Sequence, residues 1–176
     1  MLTIDKRVSG WAFALMLLAL VGCQSSATFY RGYQADTANV APLAQVAEQQ
    51  GRWETFDLDL NYRYRYADRM LDISGAIDLG LYHEINTRLI RSLNVYLFFV
   101  DDQARVLETA WLVRSARFRP EESLSFAKSL KVPAGTAALA FGYDGEARED
   151  GGDGRGDRGG GGGGLHIFSN LPKRGR

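Results

Sequence analysis

Between Phe56 and Tyr66 the side chains alternate with a period of two. Phe56, Leu58, Leu60, Tyr62, Tyr64 and Tyr66 share one parity; Asp57, Asp59, Asn61, Arg63 and Arg65 share the other. This pattern predicts a half-buried strand beginning near Trp53. The next run inverts the parity, with Leu71, Ile73, Gly75, Ile77 and Leu79 apolar and Asp72, Ser74 and Asp78 polar. Folding the two runs together about Ala67-Asp68 sets Tyr64 against Leu71, Tyr62 against Ile73, Leu58 against Ile77 and Phe56 against Leu79. A slip of one residue would oppose apolar to polar throughout, so the pattern specifies the hairpin register. Ala-Asp lacks the Gly or Asn of a tight two-residue turn, which favours a four-residue loop. Arg63 then faces Asp72 and offers a cross-strand ion pair.

Leu93–Val100 is apolar on both parities, as expected of a strand covered on both faces. Asp101-Asp102-Gln103-Ala104 turns the chain and Arg105–Val113 returns it. Ser123–Val132 and Ala137–Tyr143 are further strands, separated by the turn Pro133-Ala134-Gly135-Thr136. Leu165–Leu171 is a candidate last edge strand. Short strands with turn signals between them predict an all-β fold, an antiparallel immunoglobulin-like β-sandwich of about seven strands. Its expected span is 53–146, followed by a Gly/Asp/Arg-rich loop over 147–164 and an edge strand with a basic tail over 165–176. Ten of the 20 Gly fall within Gly151–Gly164, a run with almost no apolar surface and the composition of a disordered segment.

The N-terminal third has a different character. Lys6 and Arg7 precede Trp11–Val21, an unbroken apolar run of 11 residues. That is short of the ~20 needed to span a bilayer as a helix. It fits the apolar region of a secretory signal helix. Leu20-Val21-Gly22-Cys23 closes the run and contains the single Cys of the chain. These four residues resemble the lipobox of bacterial lipoproteins. The resemblance implies a signal peptide over 1–22, cleavage between Gly22 and Cys23, and lipidation of Cys23 by a diacylglycerol and an N-acyl chain. It also implies the lipoprotein-processing and sorting machinery as partners. Gln24 and Ser25 follow, and the absence of Asp there resembles the sorting pattern for the outer membrane of diderm bacteria, facing the periplasm. Residues 23–52, rich in Ser, Ala, Thr, Asn and Gln, are expected to form the lipidated terminus and a flexible tether. A short helix within it is expected where Pro42 opens Leu43–Gln50 and Gly51 ends it.

Leu71–Tyr143 resembles the FxLYD-type immunoglobulin-like domains of bacterial secreted proteins and lipoproteins. The carriers are Ile73-Ser74-Gly75, Val95–Phe99 before the acidic turn, and Val132-Pro133-Ala134-Gly135-Thr136 before Phe141-Gly142-Tyr143. That resemblance implies a shape and no activity.

Charge and chemistry narrow the function further. The chain carries 21 basic and 21 acidic residues, so no excess of positive charge argues for nucleic acid as a partner. One Cys excludes an internal disulfide framework and a Cys-based zinc site. No catalytic or metal-binding constellation is evident, and no cofactor beyond the acyl chains is expected. His83-Glu84 is the one adjacent pair suited to acid–base work, and it would serve an envelope hydrolase. Arg155-Gly156-Asp157, in the Gly-rich loop, would serve a surface adhesin, although composition alone explains it. Arg114, Arg117 and Arg119, clustered around Phe118, are the candidates for contact with a partner or with lipid headgroups. The favoured expectation is a non-catalytic, lipid-anchored envelope lipoprotein whose sandwich binds an envelope protein or glycan.

Overall fold

The computed structural model describes residues 29–45, 48–149 and 164–175. Their strands are β1 (Val40–Pro42), β2 (Gln49–Glu54), β3 (Leu58–Ala67), β4 (Met70–Leu79), β5 (Thr87–Val100), β6 (Val106–Ser115), β7 (Leu124–Lys131), β8 (Ala138–Glu149) and β9 (Leu165–Asn170). A six-residue helix, α1 (Leu81–Asn86), joins β4 to β5. One sheet runs β2-β3-β4-β7; the other runs β6-β5-β8, with β1 and β9 sharing the far edge of β8. All pairings are antiparallel. Counting the seven strands β3 to β9, the second pairs with the fifth and the third with the sixth. This is the Greek-key arrangement of an immunoglobulin-like sandwich, with the fourth strand beside the third.

Alternation builds the interior. Leu58, Leu60 and Tyr64 of β3 and Leu71, Ile73, Ile77 and Leu79 of β4 point inward. They meet Leu93, Val95, Leu97 and Phe99 of β5 and Leu139, Phe141 and Tyr143 of β8. The opposite parity of β5 is also buried. Tyr96, Phe98 and Val100 form a second cluster on the outer face with Ala35, Val106, Ala138 and Ala140, while Tyr30, Val40, Trp111 and Leu171 pack against it. The double-sided apolar run of β5 thus reflects two separate layers of cover.

What supplies the outer layer is the segment expected as tether. Residues 29–42 lie on the sandwich: Gly32 N–H donates to Val106 O at 2.8 Å, Gln34 bridges Arg105 and Lys173, and Val40 pairs with Ala140. Gln49-Gln50-Gly51 belongs to β2 and not to a helix, and the ring of Tyr62 lies across Gly51. The domain therefore takes in β1, β2 and β9 as well as the expected 53–146. β8 also continues to Glu149, with Ala147 fully buried. The Gly-rich stretch 150–163 lies outside the described residues.

Two local expectations need correction. The β3–β4 register pairs Tyr64 with Ile73 and Tyr62 with Gly75, two residues away from the expected alignment. A slip of two preserves the inward parity, so alternation cannot detect it; the turn decides. Asp68 (φ 50) and Arg69 (φ 60) both adopt positive φ and close a two-residue turn of type I′, with Ala67 paired to Met70. Consequently Arg65, not Arg63, meets Asp72 (3.5 Å), and Arg63 donates to Ser74 Oγ at 3.2 Å. Phe56 is not inward either. It is 74% exposed, because the chain bends between β2 and β3. Trp53 and Leu58 are both buried yet have opposite parity, which only such an irregularity allows.

Candidate functional site

The bend at 55–57, α1, the start of β5, the end of β8 and the start of β9 meet at one end of the sandwich. Thr55 forms the bend by exchanging hydrogen bonds with Leu58: its Oγ1 accepts from Leu58 N–H and donates to Leu58 O, each at 3.0 Å. The bend aims Asp57 inward. There Asp57 Oδ2 accepts from Tyr143 Oη at 2.5 Å, and Oδ1 accepts from His83 Nε2 at 3.0 Å. A carboxylate only accepts, so Nε2 carries the proton. Nδ1 then lies 3.4 Å from Thr87 Oγ1 and can accept from that hydroxyl. Phe168 packs its ring 4.4 Å from the imidazole and lies across Gly145, where a side chain would collide with it. Burial, then the hydrogen bond to Asp57, raises the Tyr143 phenol well above its ordinary pKa.

The order Thr87–His83–Asp57 has the polarity of a nucleophile–base–acid array. Its surroundings suit it to another task. His83 is completely buried and Thr87 nearly so, which leaves no approach for a reacting carbon. Glu84, the expected acid–base partner of His83, points to solvent from the next position of α1. The two do not converge. The network instead fastens α1 to β3 and β8, joining elements of both sheets. Among the described residues no group of three His, Cys, Asp or Glu is placed to hold a metal ion.

The exposed chemistry of this end lies on the outer face of the five-stranded sheet. Arg91 of β5, Arg148 of β8 and Arg117 line a depression of about 390 Å³ with Leu89 and Leu165. Arg117 sits at φ 58, a backbone conformation that L residues adopt at some cost, and its N–H donates to Arg91 O at 3.2 Å. Among the described residues none of these three guanidinium groups has an ion-pair partner. Ile167 (68% exposed) and Leu165 (53%) project from β9 on the same parity.

The arginines expected to act together are dispersed. Arg114 stacks over Trp111, 5.3 Å from the ring centroid, on the aromatic half of the outer face. Arg119 lies 3.9 Å from Glu121. Only Arg117 enters the basic depression, and its companions Arg91 and Arg148 come from distant strands. Gly22 and Cys23, the expected cleavage and lipidation positions, lie outside the described residues, as does Arg155-Gly156-Asp157.

Further along the same face, Asp144 accepts from Asn94 Nδ2 at 2.8 Å and from Tyr96 Oη. Tyr96 packs 4.5 Å from Trp111, and Tyr30 caps Tyr96 and Phe98 edge-on at 5.9 and 5.5 Å. No family model matches the chain, and no curated protein or solved structure matches it. Fold and site together define an immunoglobulin-like sandwich with a closed polar clasp and an open basic-apolar surface at one end.

Proposed function

We propose that the chain is a lipid-anchored lipoprotein of the cell envelope, sorted to the outer membrane and facing the periplasm. In this reading its sandwich binds or scaffolds another envelope component, a protein or a glycan, without catalysing a reaction. The observation that carries the reading is Leu20-Val21-Gly22-Cys23, with the single Cys of the chain, at the end of an 11-residue apolar run behind Lys6 and Arg7. One acyl chain binds a membrane only marginally, whereas two or more on one residue anchor it stably. Cleavage before Cys23 removes Lys6, Arg7 and Asp5 and leaves a mature formal charge of −1.

The packing of residues 29–42 sharpens the reading. Phe29 lies only six residues after Cys23. Even a fully extended chain gains little distance over so few residues. An acylated Cys23 would therefore hold the sandwich close to the bilayer, and a partner at the membrane surface suits it better than one far from it. Among the described residues no helix is long and apolar enough to cross a membrane.

The test is Cys23→Ser in cells supplied with labelled palmitate. Wild type is expected to incorporate label and run at the mature size, while the variant stays unlabelled and uncut. A wild-type protein that takes up no label overturns the reading.

A further inference from the structure

We propose that the open half of the outer face, with Arg91, Arg117 and Arg148 around Leu165 and Ile167, is a docking surface for an anionic bilayer. This deepens the lipoprotein reading and rests on it for the orientation of the domain. The charges and apolar groups stand on the structure alone.

Three observations converge. The first is charge. Three guanidinium groups from three separate segments gather in one depression, and no described carboxylate forms an ion pair with any of them. Glu146, on the same face of β8, makes no ion pair either. Like charges held together without counter-charges repel one another, and an anionic surface relieves that repulsion. Arginine suits phosphate because its planar fork of donors matches phosphate oxygens.

The second is apolar exposure. Leu165 lines the depression with the arginines, and Ile167, opposite Glu146, follows on the same face; both have half or more of their surface in solvent. Basic residues interleaved with aliphatic ones bind the interface of an anionic bilayer by combining headgroup attraction with shallow burial.

The third is the path of the chain. Tyr30 packs on Tyr96 and Phe98, so the N-terminal segment enters on the same outer face that carries the arginines. From Tyr96 back to Arg91 is five residues of β5. The six residue steps from Cys23 to Phe29 can cover a comparable distance when extended, because a strand is itself nearly extended chain. An anchor at Cys23 and the basic surface can thus reach one bilayer together.

The experiment separates this surface from the anchor. The mature chain 23–176 with Cys23→Ser contains every described element and no acyl chain. It is mixed with vesicles of phosphatidylethanolamine and phosphatidylglycerol in equal parts, or with vesicles of phosphatidylcholine alone, and sedimented. Binding is expected to the anionic vesicles only and to weaken as salt is raised. R91E/R117E/R148E is expected to weaken it at least ~100-fold, since each basic residue near such a surface contributes about a factor of five. R63E/R65E/K128E, an equal charge change on the other sheet, serves as control and is expected to bind like the parent. L165S/I167S is expected to weaken binding by about tenfold, through the loss of shallow apolar burial. Circular dichroism checks that each variant is folded.

Three outcomes overturn the proposal: no binding to anionic vesicles, equal losses in both charge-reversal variants, or a dimer in solution that L165S/I167S abolishes while vesicle binding stays intact. The last would assign the apolar pair to contact with a second copy. Failure here leaves palmitate labelling at Cys23 untouched, and failure of that labelling leaves vesicle binding to be read on its own.

Discussion

The outer face of the five-stranded sheet is built in two ways. Around Tyr96, Phe98 and Val100 it is covered: residues 29–42 lie across it, Tyr30 packs edge-on against two rings, and Asp144 satisfies Tyr96 and Asn94. Around Leu165, Ile167 and the three arginines it is open. The same sheet thus carries an internal interface and a free one. Apolar side chains in the covered half work as core, with Tyr96 and Asn94 paired to Asp144. Apolar side chains in the open half stand among unpaired charges, a composition that matches an interface with something outside the chain.

The largest test of this contrast is stability. Phe98→Ala is expected to lower the unfolding free energy by about 3–5 kcal/mol, as for a fully buried ring. Ile167→Ser on the open half is expected to change it by less than about 0.5 kcal/mol. Denaturant titration of both variants checks the difference, and equal losses would show that the open half is also core. His83→Ala comes next, at about 2–4 kcal/mol. It deletes a buried ring and leaves Asp57 and Thr87 short of a partner at the clasp.

The pH dependence sharpens the comparison through the tyrosines. Burial first, and then hydrogen bonds to Asp144 and Asp57, raises Tyr96 and Tyr143 above their ordinary value of 10.0. Burial raises Tyr30 and Tyr62 as well. A raised pKa in the folded state means that the protonated phenol is favoured there. Its contribution to stability is complete below about pH 10 and is lost as the pH climbs past that value. Stability from these groups is therefore expected to hold from neutrality to about pH 9 and to fall above about pH 10. Tyrosinate absorbance is expected to appear together with unfolding, and Tyr143→Phe to make the alkaline fall shallower. The smallest effect is expected at the β3–β4 turn, away from both halves. Arg69→Gly relieves a positive φ and should stabilise by about 0.5–1 kcal/mol, read from the denaturation midpoint.

The sandwich was legible in the sequence because alternation reports which side of a strand is buried, and Leu71, Ile73, Ile77, Leu139, Phe141 and Tyr143 all face inward as their parity implies. Register was not legible, since a shift of two keeps that parity and the deciding turn uses Asp68 and Arg69 in place of the usual glycine. The N-terminal cover was hidden by its composition: polar and small residues suggest a linker, and the apolar outer parity of β5 was the one sign that something must lie on it. The candidate site was less legible still. Arg117 stood out by its charged neighbours in sequence, whereas Arg91 joins it only through the bridge between Ile90 and Phe118, and Arg148 only through the β5–β8 pairing. Asp57 read as an outward residue of a continuous strand. The parity change between Trp53 and Leu58 was the available sign that the strand breaks and turns it in.

The orientation proposed for the open face rests on a chain terminus held at a bilayer. Intact-mass measurement of the protein extracted from native membranes tests this most directly. The expected mass is that of Cys23–Arg176 carrying a diacylglycerol and an N-acyl chain. An unmodified polypeptide that begins at Met1 would contradict it.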